Sequence, residues 1–128
     1  MHEIKLTDAV IARAKRRRGN IHPFGDFDPT RTALLVVDMQ NGFVDPDISV
    51  SVPGADEIVP NINRIAQGLR DAGGLVVWIQ MVMGEAEEES WGNWFDGFAQ
   101  PELRKALIEA LTEGSHGFDL WPDCDPQD

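Results

Sequence analysis

A chain of 128 residues with 42% apolar content is long enough for one hydrophobic core and ordinary for a globular domain. No stretch approaches the ~18 apolar residues of a membrane span and no signal peptide precedes the first charged residues, so the cytoplasm is the default expectation. The net charge of −11 disfavours a polyanionic partner, and a single cysteine excludes an internal disulfide framework.

The charge is unevenly spread. Residues 1 to 32 carry seven Lys or Arg against four Asp or Glu, a balance of +3, whereas residues 33 to 128 carry four against eighteen, a balance of −14. The cations cluster at Arg13, Lys15, Arg16, Arg17 and Arg18. A helix over residues 7 to 18 explains them: Thr7 is its N-cap, Asp8 lies in the first turn, and the cations sit at the negative C-terminal end before Gly19. They are also placed to pair with the acidic body of the same or a neighbouring subunit, which is preferred here to nucleic-acid or anionic-lipid binding. Residues 20 to 30, with Pro23, Gly25 and Pro29, read as an irregular connection. The chain thus divides into an N-terminal helix and arm, 1–31, and a body, 32–128.

The body opens on Thr32-Ala-Leu-Leu-Val-Val-Asp38-Met-Gln40-Asn-Gly-Phe43. An apolar run without polar alternation suits a central parallel strand, residues 33 to 38, buried on both faces. Asp38 ends it, where open α/β sheets place their ligand crevice. By position alone an aspartate there is as often a loop cap. Residues 55 to 72 follow, with Ile58, Ile62, Ile65, Leu69 and Ala72 at helical spacing, Pro60 near the first turn and Gly73-Gly74 as the stop. Leu75 to Ile79 reads as a second buried strand, parallel to the first through the helical crossover.

Adjacent parallel strands place their following loops on one rim. Gln80, Met81 and the aromatics Trp91, Trp94, Phe95 and Phe98 are therefore expected to form a hydrophobic wall over Asp38, although core packing at helical spacing explains any single one of them as well. Glu85 to Glu89 reads as a solvated acidic loop. Pro101 to Thr112 forms an amphipathic helix with Leu103, Ala106, Leu107, Ala110 and Leu111 inward. His116, in Gly114-Ser-His-Gly117, belongs to a turn. The sequence contains no phosphate loop, dinucleotide fingerprint, Gly-x-Ser-x-Gly elbow or Cys-x-x-Cys.

Asp38-Met-Gln-Asn41 with Phe43, then Pro53-Gly54-Ala55, the helix and the second strand Leu75 to Gln80, closely resembles the isochorismatase-like cysteine hydrolases over most of residues 30 to 128. The resemblance implies a three-layer α/β/α, Rossmann-like fold with a mostly parallel sheet, of which this chain is the N-terminal part. It also implies a catalytic triad of Asp38, a lysine at the end of the third strand and a nucleophilic cysteine after the fourth. Neither of the latter positions is expected here. Lys105 sits inside a helix, and Cys124 lies in the acidic loop Trp121 to Asp128, where Asp123 and Asp125 raise a thiol's pKa. The chain is therefore expected to end before the third strand of a longer hydrolase.

Nicotinamidases, which resemble this group, bind zinc through an Asp and two His after the first strand. Val44 to Pro60 offers Asp45, Asp47 and Asp56 but no histidine, so neither a metal nor a cofactor is expected. The expected activity is hydrolysis of a C–N bond in a small amide or ureido substrate through a Cys thioester, with Asp38 as proton acceptor and Phe43, Gln80, Met81, Trp91 and Trp94 as substrate contacts. The alternatives are isochorismate-type vinyl-ether hydrolysis and a non-catalytic fragment or paralogue acting by association. The expected partners are the small-molecule substrate, the remainder of the hydrolase domain from the same gene or a companion chain, and further copies in a homo-oligomer; nucleic acid and membrane are not expected.

Overall fold

The computed structural model describes residues 5–84 and 91–127. Helix α1 (Asp8–Arg18) starts at Thr7, whose hydroxyl accepts from the Val10 N–H at 3.4 Å, and ends at Gly19 in the left-handed conformation with φ 81°. Both ends match the capping signals in the sequence. No residue of α1 is buried, so the helix rests on its caps and terminal charges more than on packing. A single 3-10 turn, Pro29–Arg31, then leads into the body. Asp28 shapes it: its carboxylate accepts from the Thr30 N–H at 3.0 Å and the Thr30 hydroxyl at 2.7 Å.

Strand β1 (Ala33–Val37) pairs in parallel with β2 (Leu75–Ile79), in a register running from Ala33 opposite Leu75 to Val37 opposite Ile79. A short helix α2 (Asn41–Val44) follows β1, and the 3-10 turn Asp56–Ile58 feeds the crossover helix α3 (Val59–Asp71). The expected helix over 55 to 72 is therefore a tight turn followed by an α-helix, with Pro60 in its first turn. Helices α4 (Gly92–Phe98) and α5 (Pro101–Leu111) complete the order. The acidic run Glu85 to Glu89 lies outside the described residues.

Two apolar clusters hold these elements. Val36, Met39, Val44 and Val59 form the first, with Ile62, Val76, Trp78, Trp121 and Cys124 packed around it. Met83, Phe95, Leu107 and Leu111 form the second, flanked by Phe43, Met81 and Ile108. Leu103, expected inward, is 42% exposed. It lies one turn before Leu107, past the edge of the surface that α5 covers.

The described sheet is covered on one side only. Leu34, Val36, Val76 and Trp78 face α3 and the first cluster. On the other side Leu35 is 57% exposed, Val37 51% and Leu75 60%, and the outer edge of β1 has no strand beside it among the described residues. The apolar run Ala33 to Val37 predicts burial on both faces; the strand is covered on one, because the described residues furnish a helical layer for only one side of the sheet. The α/β class with its parallel sheet is as expected.

The segment after α5 is the least anticipated part of the fold. Residues 117 to 121 run antiparallel to 39–42, with the Gly42 N–H on the Gly117 carbonyl at 2.8 Å, the Asn41 N–H on Asp119 at 2.8 Å and the Trp121 N–H on Met39 at 2.9 Å. The tail then lies along α3, where Asn63 donates to the Asp123 carbonyl at 2.7 Å and accepts from the Asp125 N–H at 3.2 Å. This approach requires glycine: a Cβ on Gly117 would collide with the Ala110 carbonyl, and one on Gly42 would stand 2.7 Å from Leu111 Cδ2. Gly117→Ala is expected to cost about 1–3 kcal/mol of unfolding free energy, the usual penalty of overpacking, read as a lower denaturation midpoint at unchanged m-value.

Candidate active site

Asp38 stands immediately after β1, and its N–H donates to the Ile79 carbonyl at 3.0 Å. The backbone leaves the ladder at this residue, because Asp38 takes φ 60°, in the left-handed region. For a non-glycine residue that conformation costs of order 1–3 kcal/mol and is characteristic of functional sites. Partial burial raises the Asp38 carboxyl above the ordinary aspartate value by desolvation. Among the described residues no hydrogen bond or ion pair meets its carboxylate. The acidic group is thus presented on strained backbone, at the place the sequence assigned to it, with its oxygens available.

Gln40, two residues on, is fully buried and joins three segments. Its Nε2 donates to the carbonyls of Met81 and Phe118, each at 2.9 Å, and its Oε1 accepts from the Met81 N–H at 2.7 Å. Gln80 adds a second donor to the Phe118 carbonyl at 2.8 Å. The exits of both strands and the 117–121 segment therefore meet beside Asp38. Sequence reasoning gave Gln40 no role; the available signal was a polar side chain set between the apolar run of β1 and Phe43-Val44, which needs a partner once desolvated.

The expected substrate contacts fall into three situations. Gln80 follows the last residue of β2, whose carbonyl binds Asp38, and is exposed. Phe43 and Met81 are half-buried against the second cluster, which ties them to packing. Trp91, 42% exposed, and Trp94, 36% exposed, contact one another edge-on at 6.3 Å between ring centroids, and Trp94 meets Phe95 at 5.3 Å. Phe95 is the buried anchor of α4, with the Arg104 guanidinium 4.9 Å from its ring centroid.

His116 lies in a turn, as expected, and makes a contact that its spacing did not reveal. Its Nε2 is 3.3 Å from Asp45 Oδ2, and its carbonyl accepts from Asn41 Nδ2 at 2.8 Å. The Asp47 N–H first, then His116, holds the Asp45 carboxyl below the ordinary range. Asp45 and His116 make only a pair, and no group of three or more His, Cys, Asp or Glu suited to a metal occurs among the described residues. Lys105 pairs with Glu109 one turn along α5, at 3.6 Å, away from any strand end. Cys124 is half-buried against the first cluster, and burial first, then Asp123, pushes its thiol up. The direction matches the sequence reading, but desolvation outweighs the neighbouring charge.

Concave apolar space lies elsewhere along β1. A cavity of ≈ 340 Å³ lined by Phe27, Ala33, Leu34, Ile65 and Leu69 sits at its amino end, opposite Asp38. A groove of ≈ 190 Å³ runs along the strand past Leu35 and Val37 to Met39, between β1 and α3.

Comparison with known proteins places this geometry. Residues 32–128 match the model of the isochorismatase domain family. A probable inactive nicotinamidase of Arabidopsis thaliana is 46% identical over 89 residues, covering 70% of this chain and 43% of that protein. The crystal structure of a cysteine hydrolase from Pseudomonas syringae pv. phaseolicola 1448A superposes with a TM-score of 0.59 at 21% identity, covering 79% of this chain and 44% of that one. The likeness to that structure is one of fold. The chain spans less than half the length of either relative. No helix among the described residues is long and apolar enough to cross a membrane.

Proposed function

The chain belongs to the isochorismatase family, and from that premise we propose that Asp38 is the proton acceptor of a cysteine hydrolase acting on a C–N bond of a small amide or ureido compound. The observation that carries this reading is the Asp38 carboxylate itself, set on left-handed backbone at the carboxyl end of a parallel strand. In this reading the lysine and the nucleophilic cysteine come from polypeptide beyond these residues, and they meet Asp38 across the open side of β1. The thiol proton passes to Asp38 as sulfur adds to the carbonyl carbon. The C–N bond then breaks, the proton leaves with the amine, and water cleaves the remaining thioester to release the acid and regenerate the thiol.

Burial raises the Asp38 carboxyl by desolvation, and a neighbouring lysine would favour its ionised, proton-accepting form in a closed crevice. Gln80, Met81, Phe43 and the Trp91–Trp94 pair are assigned the substrate wall; of these, Gln80 and the two tryptophans have exposed surface to offer. Cytoplasmic location and homo-oligomerisation complete the reading.

A second reading, association without catalysis, has its own support in the uncovered sheet face and in the relative named as an inactive nicotinamidase. Hydrolysis and thermal unfolding measured together on Asp38→Asn, in protein that carries all three groups, separate the two. A catalytic role requires lost turnover at unchanged stability, and no turnover in the unsubstituted protein supports association.

A further inference from the structure

We infer that Gln40 is the positioning residue of this site: its side-chain amide continues the β1–β2 ladder past the point where Asp38 leaves it, and so fixes where the Asp38 carboxylate stands. The inference rests on the proton-acceptor reading of Asp38 but concerns a different residue and is measured differently.

Main-chain pairing follows the register from Ala33 and Leu75 to Val37 and Ile79, and the Asp38 N–H adds a bond to the Ile79 carbonyl at 3.0 Å. With φ 60° at Asp38 the chain turns away, so residues 39 and 40 cannot offer their backbone to Met81 in the strand pattern. Gln40 offers a side-chain amide instead, which has the same donor and acceptor as a peptide group. It satisfies both main-chain groups of Met81, donating at 2.9 Å and accepting at 2.7 Å. Its second N–H binds the Phe118 carbonyl at 2.9 Å, fastening the segment that runs antiparallel to 39–42.

Asp38 is thus bracketed by the Ile79 bond on its own N–H and by the Gln40 clamp two residues later. Each of the Gln40 bonds is to main chain, and the residue is 0% exposed, so the cross-link is shielded from competing water. Such a bracket gives the strained Asp38 backbone a single arrangement to occupy.

The test uses the full chain at low micromolar concentration and requires no turnover. Amide hydrogen exchange reads Met81 and residues 117–121, and carbodiimide labelling of carboxyl groups across pH, resolved by mass spectrometry, reads Asp38 against the unsubstituted protein. Gln40→Met keeps the length of the side chain and removes its hydrogen bonds. The expected result is Met81 exchange faster by about tenfold, the scale of a lost buried hydrogen bond. The Asp38 labelling midpoint should also move down as its carboxylate gains water, while the β1–β2 amides stay protected. Unchanged Asp38 labelling in a folded Gln40→Met protein overturns the inference and leaves Gln40 a stability residue. Should that variant unfold, Gln40→Asn decides: it keeps an amide on a side chain one methylene shorter, which weakens the clamp without burying an apolar group in its place. A partial shift of Asp38 supports positioning, and no shift refutes it. Activity of Asp38→Asn bears only on the proton-acceptor reading, so the two ideas fail separately.

Discussion

Asp38→Asn, in protein that also carries the lysine and cysteine, is expected to lower turnover by between about 10²- and 10⁴-fold, the range that a positioned general base supplies. The amide has the shape of the carboxylate but does not take up a thiol proton at neutral pH. The fold should survive. Asp38 is held through its backbone N–H on Ile79, and no described group binds its carboxylate, so the exchange breaks no bond seen here. It also removes a partly desolvated charge, so stability should stay level or rise slightly. Steady-state rates with thermal unfolding on the same preparations check both halves. Near-normal turnover would reduce Asp38 to the turn it makes.

The second large effect concerns residues 1–128 as an isolated polypeptide: they should self-associate and hydrolyse no amide. Leu35, Val37, Leu75 and Ile79 give one face of the sheet an apolar surface that is 39% to 60% exposed residue by residue, and among the described residues no strand pairs with the outer edge of β1 beside it. Contiguous apolar patches larger than a few hundred Å² are rare on soluble monomers, and open strand edges recruit other strands. In the proposed complete domain the remaining strands and helices cover this face and bring the lysine and cysteine to Asp38. Sedimentation of the isolated chain should show oligomers or aggregate that Leu35→Lys reduces. A monomeric, cooperatively melting species with amide hydrolysis would refute both the assignment of the uncovered face and the external nucleophile.

The elements around Asp38 were legible because each rests on a local signal. The Ala33–Val37 run, the helical periodicity of α3, the Gly73-Gly74 stop and the Thr7 and Gly19 caps act within a few residues of chain. The α3 stripe was placed one residue off: Ile58 and Ile65 are 45% and 54% exposed, and Val59 and Ala66 are the residues buried. The Gln40 clamp and the 117–121 segment were not, since their partners are backbone groups up to 78 residues away and a main-chain carbonyl has no letter of its own in a sequence. The same reason hid the docking of the tail on Asn63, where a stretch with two prolines and no periodicity finds its structure from a helix side chain. Leu103 shows the complementary limit. A helical stripe identifies an apolar face but not where the surface it packs against ends.

The lack of burial along α1 bears on how the chain meets a protease. A helix with no buried residue opens at little cost, and four of its last residues, Lys15 to Arg18, are trypsin sites next to the Gly19 turn. Cleavage of transiently opened sites follows local rather than global stability. Brief digestion should therefore clip the arm at Lys15 to Arg18 first and spare Arg64 and Arg70, which lie within α3, the helix that packs Val59 and Ala66 inward. The basic region would then separate from the acidic body, whose charge turns more negative as the arm leaves, and the shift is readable by native electrophoresis.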